Sequence, residues 1–240
     1  MSGNTAEVVV IGAGVAGCAV ARELALRGVW VTVLERSVAG AEASSAAAGI
    51  LGAQVESDEP GPFCDLAVRS RALYADFVKK LEDESGVRTG YARCGSILLA
   101  FDEEEEAELR AREKWQGAQG LDTQWLDHKA LEQIEPEGSL QARAGLHFAD
   151  DGQIEPPQLA RALARAARKA GAKFLTTTVH RILHEKNCVC GVETGEGVIS
   201  CERVVLAAGA WTTQVPGSGL KPESISPVRG QVIALDHQPG

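Results

Sequence analysis

The chain opens with a continuous apolar run, AEVVVIG, closed by glycine. This is the pattern of a strand buried on both faces of a parallel sheet. From Gly14 to about Arg27 the apolar and small residues fall at helical spacing, with Ala16, Val20 and Leu24 on one line and Gly28 as terminator. VWVTVLER then returns to a buried strand with charge at its end, completing a strand, helix, strand unit.

Farther along, Pro60, Gly61 and Pro62 mark a loop, and CDLAVRSRALYADFVKKLEDESG reads as an amphipathic helix with Leu66, Leu73, Phe77 and Leu81 on its apolar side. GSILLAF is a strand, and DEEEEAELRAREKW a helix whose first turn is crowded with acids that oppose the positive end of its dipole. GLHFADDGQIEP gives two short strands around a turn at Asp151 and Gly152, and PPQLARALARAARKAGA a helix with proline at its start and glycine after its end. TTVHRIL, CVCGVET, GVIS and RVVLAAG read as short strands, and PVRGQVIAL as the start of another.

The expected fold class is therefore α/β, with a Rossmann-like dinucleotide-binding domain built from residues 1–85 and 150–215. Residues 86–149 and 216–240 are expected to form a partial substrate domain of antiparallel strands with helices.

The length of 240 residues suffices for a sizeable core, and the net charge of −9 with dispersed basic residues argues against nucleic acid as a partner. The first residues carry neither a basic head nor a cleavage site, and no apolar stretch reaches the roughly 18 to 20 residues of a membrane span, so a cytoplasmic protein is expected. Cysteines 18, 64, 94, 188, 190 and 201 lack paired metal spacing, so no metal is assigned.

Gly12, Gly14 and Gly17 form G-x-G-x-x-G between the first strand and helix, and Glu35 ends the second strand about 20 residues on. Gly12 serves the tight turn, Gly14 clears space for a pyrophosphate at the helix start, Gly17 admits close helix packing, and Glu35 accepts hydrogen bonds from a ribose. An acid at this position disfavours a 2′-phosphate, which leaves NAD or FAD.

The next stretch separates them. Instead of a further crossover helix, the chain runs RSVAGAEASSAAAGILGA, almost devoid of large side chains. Ser44 and Ser45 with nearby amides suit the far side of a pyrophosphate, and Gly49 and Ile50 a flavin ring, which favours FAD. The alternative is an alanine-rich helix packed tightly on the sheet.

Taken together, VVVIGAGVAG, LER, SSAAAGILGA, CGSILLAF, IEPPQLARAL, VVLAAGAW and PVRGQ resemble, in order and spacing, the FAD-dependent D-amino acid oxidase superfamily. They are most similar to its glycine oxidase branch, associated with thiamine biosynthesis. The resemblance implies that Val15 and Ala16 meet the pyrophosphate, Glu35 and Arg36 the adenosine, and Ala43, Ser44, Ala48, Gly49 and Ile50 the flavin side. It further implies that the backbone of Val179 holds adenine and that Ala208 and Gly209 pass close to the cofactor.

The implied activity is oxidation of glycine or a related small amino acid or amine, with hydride transfer to flavin and peroxide release to molecular oxygen. Two rivals stand beside it: a flavin-dependent dehydrogenase passing electrons to a carrier, and a truncated, non-catalytic nucleotide-binding remnant. No catalytic residue is assigned, and His147, His180 and His184 read as strand or turn residues. The substrate-binding arginine and the last flavin segment of the superfamily are expected beyond Gly240, so the chain reads as a fragment. Related enzymes are often homo-oligomers, though no patch in this sequence demands it.

Overall fold

The structure is a computed structural model and describes residues 5–134 and 141–233. The chain divides into two compact units, Met1–Ala48 with Lys80–Thr89 and Glu155–Gly240, and Gly49–Lys79 with Gly90–Ile154. This division by contact differs from the sequence boundaries, since residues 49–79 group with the second unit and residues from 216 onward with the first.

In the first unit, β1 (Thr5–Ile11), α1 (Val15–Leu26) and β2 (Val31–Glu35) form the expected unit, with β1 and β2 parallel in the register Val8 to Val31 and Ile11 to Leu34. Ala43–Ala46 makes one helical turn, α2. The second unit supplies β3 (Ile50–Leu51), the first part of α3 (Pro62–Ser85), β4 (Ser96–Ala100), α4 (Glu103–Ala118), β5 (Gln124–Asp127), α5 (His128–Ile134), β6 (Ala144–Phe148) and β7 (Gly152–Gln153). The chain then returns to the first unit with α6 (Pro156–Lys169), β8 (Lys173–Thr176), β9 (Val179–Glu185), β10 (Cys188–Thr194) and β11 (Gly197–Leu206), followed by 3-10 turns at Gly209–Gln214 and Pro222–Ser224.

Among the described residues the first unit has one sheet, in the order β8-β2-β1-β11-β10-β9. Its first four strands are parallel, and β10 and β9 extend it antiparallel. Lys186 and Asn187, both at positive φ, close the β9 to β10 hairpin in the left-handed backbone conformation that a two-residue turn of this kind needs. The sheet core gathers Val9, Ile11, Leu34, Ile182, Val192 and Ile199. In the second unit β6 lies between β4 and β5 in an antiparallel sheet, while β3 pairs with β7. Asp102 caps α4 by accepting the Glu105 N–H at 2.9 Å, so the acid run is a helix start.

Several elements depart from the sequence pattern. GVIS and RVVL form one strand, β11, while β5, α5 and β8 carried no periodic signal strong enough to read. Residues 227–233 hold no regular structure, and the remainder of the expected PVRGQVIAL strand lies outside the described residues.

The helix faces also differ. In α1 the buried line is Gly17, Cys18, Ala21, Arg22 and Ala25 instead of Ala16, Val20 and Leu24, because small residues let α1 come close to its neighbours in this unit. In α3, Leu66 and Leu73 are 67% and 69% exposed. The line that turns inward is Cys64, Arg71, Tyr74, Val78, Leu81 and Ser85, at steps of three, four or seven, with a nearly buried arginine at its centre.

Candidate functional site

The glycine-rich turn between β1 and α1 is shaped by contacts that leave no room for side chains at two positions. Gly12 has φ +102°, and a Cβ there would lie 2.4 Å from the Ala207 carbonyl oxygen. A Cβ at Gly17 would lie 2.0 Å from the Gly12 carbonyl oxygen. Among the described residues outside its own helix, the atom near a Cβ at Gly14 is Ser44 Oγ, at 3.0 Å, so the space in front of the helix start is bounded there by a movable hydroxyl. The three glycines thus divide into two that pack the turn and one that keeps its mouth open.

Ser44 faces this mouth. Its Oγ accepts the Val15 N–H at 3.0 Å, across 29 residues, taking up one of the first-turn amides of α1 that have no acceptor within the helix. Ala16 and Gly17 follow in that turn, and Cys18 N–H is the first to bond back, to Gly14 at 2.9 Å. The positive end of the helix dipole and amides of this kind suit an anionic diphosphate.

Glu35 closes the other side. One carboxylate oxygen accepts the Ala13 N–H at 2.9 Å and the other the Ser37 N–H at 3.0 Å. A carboxylate has about four acceptor sites, so two protein donors leave capacity for ribose hydroxyls. The Glu35 carbonyl also accepts the Thr177 N–H at 2.8 Å, which ties the approach to Val179, the half-buried first residue of β9, to the end of β2. Arg36 is paired with Glu42 at 2.8 Å and stacked 4.1 Å from the centre of the Trp211 ring. Ala208 and Gly209 follow Ala207, whose N–H donates to Ile11 O at 2.9 Å, so this segment lies beside the glycine turn.

The small-residue stretch does not form the tightly packed helix weighed as an alternative. Helix geometry ends after Ala46, no residue of α2 is buried, and Ala43, Ser45 and Ala48 are exposed. Alanines left uncovered next to an open helix start fit a site for a flat, partly apolar ligand. A dinucleotide therefore fits the residues present in the first unit. Gly49 and Ile50 belong to the second unit; Gly49 has φ +86° and accepts the Ile154 N–H, and Ile50 is 58% exposed.

Three features escaped the sequence reading. Ser44 bonds to the helix start itself, Glu35 braces the glycine turn, and Arg71 and Asp151 form a buried pair in the second unit. No spacing rule links partners so far apart in the chain. Cys18, behind the turn, donates its thiol to Ala13 O at 3.3 Å, and burial pushes its pKa up to about 12. Among the described residues no helix is long and apolar enough to cross a membrane.

The family described as FAD dependent oxidoreductase matches residues 7–240. The bifunctional protein ThiO/ThiG of Nostoc sp. is 36% identical over 232 residues, 96% of this chain and 34% of that protein. The glycine oxidase of Geobacillus kaustophilus is 36% identical over 231 residues, 95% of this chain and 61% of that protein. The crystal structure of glycine oxidase from Geobacillus kaustophilus superposes with a TM-score of 0.85 at 35% identity, covering 88% of this chain and 57% of that one. The chain thus spans about a third of the bifunctional protein and three fifths of the oxidase.

Proposed function

Since the chain belongs to the family of FAD-dependent oxidoreductases, we propose that it serves the oxidation of glycine or a related small amino acid or amine, with molecular oxygen as acceptor. The observation that carries this reading is the joint placement of Val15, Ser44 and Glu35 around the glycine turn: an amide row, a hydroxyl and a carboxylate, in a frame similar to that of glycine oxidases. Bound FAD would supply the two-electron oxidation of the substrate carbon–nitrogen bond, with molecular oxygen reduced to hydrogen peroxide.

The residues of this chain bind and orient. Gly12, Gly14 and Gly17 keep the turn clear, Val15 and Ala16 present the helix start to the pyrophosphate, and Ser44 and Ser45 offer hydroxyls to it. Glu35 and Arg36 take the adenosine end with the backbone of Val179, while Ala208 and Gly209 line the approach. By the resemblance to the family, Ala43 and Ala48 of the first unit and Gly49 and Ile50 of the second would lie on the flavin side. The discontinuous first unit is the FAD-binding part in this reading, and the antiparallel sheet of the second the substrate part.

The test is the full-length protein, purified and supplied with FAD. It should show a flavin absorption band and release peroxide with glycine, sarcosine or D-alanine. Loss of flavin colour on gel filtration, with no peroxide from any of the three, overturns the proposal. Flavin bleached by substrate without peroxide replaces the oxidase with a dehydrogenase.

A further inference from the structure

We propose that the buried Arg71–Asp151 pair is a positioning device that fixes the backbone of residues 49–55, the segment set against the flavin. The inference rests on the flavin-side reading of Gly49 and Ile50 above.

Asp151 is wholly buried, and its carboxylate is used from three directions. It accepts the Gln54 N–H at 3.2 Å and the Val55 N–H at 3.0 Å, and Arg71 Nη1 donates to it at 2.6 Å. The same Nη1 donates to Gln54 Oε1 at 2.7 Å. The Gln54 amide, also wholly buried, donates to Gln116 Oε1 at 3.0 Å and Asp122 O at 2.9 Å, and Gln116 Nε2 returns a bond to Gln54 O at 3.0 Å. Arg71 Nη2 also faces Asp150 at 3.6 Å.

The residues that follow Asp151 grip the other end of the same segment. Gly152 and Gln153 pair with Leu51 and Ile50, and Ile154 N–H donates to Gly49 O at 2.9 Å. Side chain and main chain of one short stretch, 151–154, therefore hold residues 49–55 at both ends. A Cβ on Gly152 would lie 2.5 Å from Ala92 O, so the stretch doing the gripping is itself fixed.

Neither of the usual means would place the Gly49 to Leu51 end of this segment unaided, although farther on Ala53 is buried and Val55 packs on the core of the second unit. β3 is two residues long, too short for a ladder to define it, and Ile50 is too exposed to be anchored by packing. A buried ion pair is a poor source of stability, because desolvation offsets its attraction and apolar residues of similar volume often serve as well. Its geometric effect is the larger one here: a carboxylate with two fixed oxygens sets two successive amides, Gln54 and Val55, at once. Arg71 lies in the inward line of α3 for this purpose and so displaces an apolar residue from it. Arg71 and Asp151 act through the backbone and are positioning residues.

The FAD-loaded protein tests this with Asp151→Asn and the double variant Asp151→Asn/Arg71→Met. Asp151→Asn should lower the melting temperature, shift the shape of the flavin band and raise KM for the amine by roughly tenfold or more, since small misplacements near a reacting centre are costly. The double variant removes both buried charges and should regain the melting temperature. It should keep the shifted band and raised KM, because asparagine offers one acceptor oxygen where the carboxylate sets both the Gln54 and Val55 amides, and the remaining bonds from Gln116 and Arg112 hold only their carbonyls. Recovery of band and KM together with melting temperature overturns the proposal, as does an unshifted band in both variants.

Arg71→Lys keeps the charge but loses the donor geometry shared between Gln54 and Asp151. It should move the band in the same direction, and it serves if Asp151→Asn does not fold. Ile50→Ala separates the two readings. If it shifts the band and the Asp151 variants do not, positioning alone fails. If Ile50→Ala leaves the band unchanged, the flavin-side reading fails and the proposal with it.

Discussion

The Glu35 carboxylate accepts the Ala13 N–H at 2.9 Å, so the acid that ends β2 braces the glycine turn before any ligand is considered. Glu35→Gln should therefore lower the melting temperature of the protein stripped of FAD, by a loss of about 1.5 to 3 kcal/mol for a hydrogen bond to a charged group. FAD affinity should fall as well. An unchanged melting temperature of the stripped protein would mean that Glu35 serves the ligand alone.

Gly14→Ala and Gly17→Ala should part company. The Gly17 Cβ would meet backbone at 2.0 Å, which no rotamer relieves, and the cost is set at about 3 kcal/mol or more. The Gly14 Cβ would meet only the Ser44 hydroxyl, so Gly14→Ala should fold with a loss of about 1 kcal/mol and bind FAD more weakly. Urea unfolding and FAD titration of both variants check this, and equal losses of stability would contradict it.

Ser44→Ala removes the acceptor for Val15 N–H. The amide then turns to water and the pyrophosphate loses the Ser44 hydroxyl, so the expected loss is about 1 kcal/mol of stability together with weaker FAD binding. Melting with and without FAD measures both, and the shift on adding FAD should be smaller than in the parent.

Thiol labelling of the native protein should modify Cys94, Cys188 and Cys190, which are exposed, and spare Cys18, Cys64 and Cys201. Burial raises Cys18 to about 12 and Cys201 to about 11, which keeps both as thiols at neutral pH, and the thiolate is the reactive form. Mass spectrometry after iodoacetamide treatment reads the sites. Rapid modification of Cys18 would show that the turn opens.

Glu82 is held below the usual carboxylate value, first by the Thr89 N–H at 2.8 Å, then by the Thr89 hydroxyl and Arg88. Burial acts in the opposite, raising direction. A depressed carboxylate contributes stability above its ordinary value of 4.5 and loses it as pH falls through the depressed one. Glu82→Gln should therefore lower the melting temperature at pH 7, with the gap from the parent narrowing in acid. A gap that does not change with pH would exclude this linkage.

The first strand, the glycine turn, its helix and Glu35 were legible because they are local: an apolar run, a glycine spacing and an acid at the strand end each follow from a few adjacent residues. The face of α3 was not. Leu66 and Leu73 look like core residues in any helical count, yet Arg71 takes the inward line because Asp151 and Gln54, from two other segments, satisfy it. β5 and α5 were missed for a related reason, since short elements draw their stability from neighbours more than from their own periodicity.

The sequence by itself determined the α/β class, the glycine turn and the family, because backbone freedom at glycine, apolar periodicity and motif spacing are encoded in neighbouring residues. Only the tertiary structure decided how Ser44 meets Val15, how Glu35 divides its oxygens between Ala13 and Ser37, and how Asp151 grips Gln54 and Val55. These are hydrogen bonds between groups mostly far apart in the chain, and their 3 Å geometry exists only once the chain has closed on itself.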